Sequence, residues 1–231
     1  MARVMRNRYR VEEADIATMR ESLAAAAQGD EEKDVGYATF FFGLALWLHG
    51  DLAAAQEQME RALAMAERIG ESILLGQSLL GLALTALRRH DTEAVRALAP
   101  RAVEAAPDLA SSEYLAGAKA CLAWLAWQDR RPDDVITLSG EIAELIAGTG
   151  RLGSYHGLVH RWPLIAVHLE AGHVAAAVAV SRQIPQYVPW LPGDLESALE
   201  EARQAWDQGQ AGLAGERLAA AAALARDLNY A

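Results

Sequence analysis

The sequence predicts an all-α solenoid, and three observations predict it. About one residue in five of the 231 is Ala, and 19 of the 21 basic residues are Arg. Ala is the strongest helix former, with Leu, Arg, Glu and Gln close behind. No Val, Ile or Thr run alternates with the period of two that a half-buried strand needs. The chain also repeats itself. Gly43-Leu-Ala-Leu-Trp47 returns as Gly81-Leu-Ala-Leu-Thr85, and polar turns recur near positions 50, 90, 130, 172 and 209. Spacings of 37 to 42 residues, with a helix-length segment on each side of every turn, define two helices per repeating unit.

Taken in order, a leading helix is expected over Val11–Gln28. Five helix pairs follow: Asp34–His49 with Asp51–Ile69, Glu71–Arg89 with Asp91–Ala106, Ser111–Gln128 with Asp133–Ala147, Ser154–Ala171 with His173–Ile184, and Asp194–Gln208 with Gly212–Asn229. Asp51, Asp91, Ser111, Asp133, Ser154 and Asp194 are suited to capping helix starts, where a side-chain oxygen accepts from a free first-turn N–H. Gly50, Gly70, Gly148, Gly172 and Gly209 suit helix ends, because glycine adopts the left-handed conformation without strain. Turns this short make partner helices antiparallel neighbours.

The first helices of the pairs read as apolar nearly all round, with Tyr37-Ala-Thr-Phe-Phe-Phe-Gly-Leu-Ala-Leu-Trp-Leu48 the extreme. Such helices must lie between neighbours or line a covered groove. The second helices are amphipathic: Leu52, Ala55, Met59, Ala62 and Leu63 lie opposite Gln56, Glu57, Glu60 and Arg61. Small residues at Gly43, Ala55 and Ala62 let backbones approach closely.

The pattern Gly43…Gly50-Asp51…Ala55…Met59…Ala62 resembles the tetratricopeptide repeat. The stretch from Gly209 through Leu213, Leu218 and Ala221 to Tyr230 is similar to the arrays at the C-terminal ends of bacterial multidomain transcription regulators and signalling ATPases. The resemblance spans residues 34 to 229. It implies a right-handed superhelix of about five pairs plus the leading helix. It also implies a helical scaffold for a protein or peptide partner; a cytoplasmic location and a non-catalytic role in a regulator are expected alongside it. Later repeats depart from the pattern: Arg130 stands at the turn glycine, Val135 at a small position, and Pro163 inside a helix.

The domain organisation expected is a basic arm over 1–10 and one domain over 11–231, since no Ser/Gly linker divides the chain. Arg3, Arg6, Arg8 and Arg10 make the arm positive, whereas the rest carries 17 basic against 31 acidic residues, a net −14 within an overall −10. Net acidity argues against bulk binding to nucleic acid or an anionic membrane. No apolar run approaches the roughly 18 residues of a membrane span. The first residues lack a secretory apolar core, so export is not expected. Neither end of the repeat array carries a polar cap, so the reading is either a piece of a longer regulator or a homodimer formed through the ends.

Candidate chemistry is sparse, and neither an enzyme activity nor a cofactor is expected. Gly148-Thr-Gly-Arg-Leu-Gly153 matches the dinucleotide-binding glycine spacing, but a helix precedes it where the fingerprint needs a strand. His156 and His160 share a helix face, with His168 or His173 as further ligands, yet the Glu of a zinc-protease motif is missing and no metal is expected. Cys121 lies among apolar residues and reads as a buried inert thiol. The aromatic residues are the stronger signal. Trp47, Trp127 and Trp206 each precede a turn position by three. By the tetratricopeptide resemblance the first helices line a concave groove, which would place Tyr37, Phe40, Trp47, Trp124, Trp127, His160, Arg161, Trp162, Arg203 and Trp206 toward a partner. Packing between repeats is the competing reading of the same aromatics. A small apolar ligand in the groove and a structural dimerisation spacer are the alternative functions. Pro163 either kinks its helix beside His160, Arg161 and Trp162 or starts a new one.

Overall fold

The computed structural model describes residues 11–106, 112–147, 159–184, 191–228 and 230. Within them the chain is helical, and no strand occurs among the described residues. The helices are α1 (Glu13–Ala26), α2 (Glu32–His49), α3 (Leu52–Ile69), α4 (Ser72–Arg88), α5 (Thr92–Ala105), α6 (Ser112–Gln128), α7 (Pro132–Ala147), α8 (Arg161–Glu170), α9 (Val174–Ser181), α10 (Gly193–Asp207) and α11 (Ala211–Asp227). They form two compact units, Met1–Ala118 and Lys119–Ala231.

One turn recurs, and hydrogen bonds define it. Residues 50, 90, 130, 172 and 209 all have positive φ, between 55° and 104°. After each, the next N–H reaches back to the carbonyl five residues earlier: Asp51 to Leu46, Asp91 to Ala86, Arg131 to Ala126, His173 to His168 and Gln210 to Ala205. These are Schellman closures, which satisfy carbonyls the helix itself leaves free. Glycine fills three of the five positions at no steric cost. His90 and Arg130 hold the same left-handed backbone at φ 55° and 56°, where a Cβ is strained.

Helix starts follow the expected chemistry in part. The Asp51 and Asp91 carboxylates accept from the Ala54 and Ala94 N–H groups at 3.1 and 3.0 Å. Asp133 and Asp194 do not cap; each is the second residue of its helix, after Pro132 and Gly193. Proline is favoured at a first helical position, and an acidic residue in the first turn still complements the helix dipole. Pro163 falls in the first turn of α8, where its missing N–H removes no helical bond. The expected start of that helix at Ser154, the cap at Ser111 and the glycines 148–153 lie outside the described residues.

In the first unit α3 packs against both α2 and α4, and α2 also touches α4. Thirteen of the residues of α4 are buried, from Leu74 to Leu87, so this helix is enclosed almost all round. By contrast α3 buries one stripe: Ala55, Gln58, Met59, Ala62 and Ala66. Met59 is the junction. Its side chain is 1% exposed, and a Cβ built on Gly43 or Gly81 would fall 3.2 Å from its Cγ or 2.6 Å from its Sδ. In the second unit the core joins Trp162, Ile165, Val178, Leu195, Leu199 and Leu218 from α8, α9, α10 and α11. Here α10 departs from the all-apolar pattern of first helices. It buries only Leu195, Leu199, Ala202 and Ala205, because Glu196, Glu200 and Glu201 occupy its other face.

Candidate functional site

The ten residues expected at a groove divide between the two units, and each set has its own surroundings. In the first unit Phe40 and Trp47 are buried at 4% and 8% exposure, whereas Tyr37 keeps an exposed edge. Trp47 lies beneath Arg88, whose guanidinium carbon is 5.0 Å from the ring centroid and whose Nη1 donates to the Trp47 carbonyl at 2.8 Å. Cation–π contact and a backbone bond together tie the end of α4 to the end of α2.

In the second unit Trp124, Trp162, His160 and Arg161 are all buried. The Trp124 indole N–H is enclosed, with no hydrogen-bond partner among the described residues. Arg161 donates from Nε to the Gln183 side chain at 3.3 Å. Trp127 is half-buried against Ala126, Val135 and Val167, with the Arg226 guanidinium 4.9 Å above its ring. Trp206 packs partly on the large core. Arg203 donates to the Ser181 carbonyl at 2.9 Å and to Glu200 at 3.3 Å. Burial pulls its guanidinium below the ordinary arginine value, against the pull of Glu200. Trp47, Trp127 and Trp206 do share one structural place: each carbonyl accepts from the turn residue three positions on, Gly50, Arg130 or Gly209.

Among the ten, then, Tyr37, Trp127, Arg203 and Trp206 keep partial exposure, and the other six are core. Large aromatics satisfy a groove pattern and a packing pattern equally well by spacing alone.

The first unit also carries a polar line that no motif announces. Tyr37 on α2 donates to Glu71 Oε1 at 3.2 Å, and Lys33 Nζ lies 2.7 Å from Glu71 Oε2. One helix further, Gln77 Nε2 on α4 donates to the Tyr114 hydroxyl on α6 at 2.6 Å. Tyr37 and Gln77 stand in the same register, each 13 residues before its turn position, 50 or 90. Burial first, then the Glu71 carboxylate, pushes the Tyr37 phenol up to about 12, and the Tyr114 phenol adds to it. Glu71 is held below the usual carboxylate range, chiefly by its bond to Lys33. Gln77 is 8% exposed, and its Oε1 has no hydrogen-bond partner among the described residues. The period of the repeat was the one signal able to find Gln77; Lys33, Glu71 and Tyr114 carry no such mark.

The other candidates resolve simply. Cys121 is fully buried, and burial pushes its thiol up to about 12. The His168 and His173 rings lie 6.3 Å apart across the Gly172 turn. Burial lowers the His168 imidazole below its ordinary value, and His173 lowers it further. His156 lies outside the described residues, among which no group of His, Cys, Asp and Glu is placed to hold a metal ion. No described helix is long and apolar enough to cross a membrane. No protein-family model and no curated protein matches the chain.

Proposed function

We propose that the chain is a non-catalytic interaction module, a tetratricopeptide-like array of helix pairs that binds a protein or peptide partner along the faces of its first helices. A right-handed superhelix is the form such an array takes. The resemblance to the sensor arrays of bacterial regulators makes transcriptional or signalling control the setting. The observation that carries the reading is the partial exposure of Tyr37, Trp127 and Trp206, each on the first helix of a pair. Tyr37 and Gln77 stand at one repeat position on successive first helices, where their hydrogen bonds to Glu71 and Tyr114 tie neighbouring helices together. A partner lying across several helices needs a repeated set of contacts, whereas a catalytic site needs one converging constellation. Half-exposed Trp127 and Trp206 offer apolar area of the kind that dominates recognition energies.

The test is an immobilised array of random peptides probed with the full chain and with Tyr37→Ala, Trp127→Ala and Trp206→Ala. These positions are partly exposed, and helicity and thermal melting of each variant are compared with the parent chain before capture is read. The proposal expects a reproducible peptide set whose capture falls for at least one variant of unchanged helicity. Capture of no peptide, or capture indifferent to all three variants, would refute it.

A further inference from the structure

We draw no further inference here: the strongest candidate, the side-chain cluster of Tyr37, Glu71, Gln77 and Tyr114 where α2, α4 and α6 pack, belongs to the site already described, its carboxylate is satisfied by Lys33, and Gln77 Oε1, which lacks a hydrogen-bond partner among the described residues, is shut off from solvent, so nothing in the structure shows a ligand that reaches it.

Discussion

Two Gly→Ala substitutions, identical in chemistry, should change stability in opposite directions. Gly81 lies in mid-α4, and an added Cβ would stand 2.6 Å from Met59 Sδ and 3.0 Å from its Cε. Ordinary contact is about 3.5–4.0 Å, so the thioether must retreat by roughly 1 Å. It has nowhere to go. Met59 is 1% exposed, its Cγ is held under Gly43, and the Thr85 hydroxyl lies 3.6 Å from its sulfur. Overpacking of this kind costs about 1–3 kcal/mol, and the helix gains about 1 kcal/mol from replacing glycine. Gly140 in α7 is exposed, with nothing within 4 Å of an added Cβ, so there only the gain remains. The difference between the variants isolates the steric cost at about 1–3 kcal/mol. At roughly 2–4 °C per kcal/mol, thermal melts followed by circular dichroism resolve it. In a Met59→Ala background the cost of Gly81→Ala should shrink, giving a less-than-additive cycle. A Gly81→Ala protein at least as stable as Gly140→Ala would refute the packing argument.

Three further outcomes follow from the same geometry. His90→Gly and Arg130→Gly remove the Cβ from a left-handed turn and should each stabilise by about 1 kcal/mol in urea titrations, whereas Gly50→Ala should destabilise by a similar amount. Burial holds His168 below its ordinary value, so below about pH 6.5 the unfolded chain takes a proton that the folded chain refuses. Its contribution is whole at alkaline pH and is lost as the pH falls through the ordinary histidine range; the urea midpoint should drop on acidification, less so in His168→Gln. Cys121, its thiol pushed up to about 12 by burial, should resist alkylation in the folded protein and react once urea unfolds it.

Much of the architecture is legible in the sequence because punctuation and period agree. Gly50, Gly70, Asp51 and Asp91 mark boundaries within a residue or two of where the helices break. His90 and Arg130 are legible only through the period, since neither residue type signals a left-handed turn; both are exposed, and the turn's own backbone bonds, His90 to Leu87 and Arg130 to Trp127 among them, close it. Asp133 and Asp194 mislead because a first-turn carboxylate and a capping carboxylate leave the same mark. The site is less legible. Trp47, Trp124 and Trp162 lie on helices apolar all round, and period alone does not say which side faces a neighbour. Lys33, Glu71 with Gln77, and Tyr114 come from three stretches of chain, and they pair, Lys33 with Glu71 and Gln77 with Tyr114, only once α2, α4 and α6 pack.

The most direct measurement is oxidative footprinting of the full chain, alone and saturated with an array-selected peptide. Protection should appear at Tyr37, Trp127 or Trp206, on first helices, while oxidation of Leu63 and Met65 of α3 stays unchanged. Protection confined to the second helices, or none at any of these three aromatic residues while the peptide is bound, would contradict it.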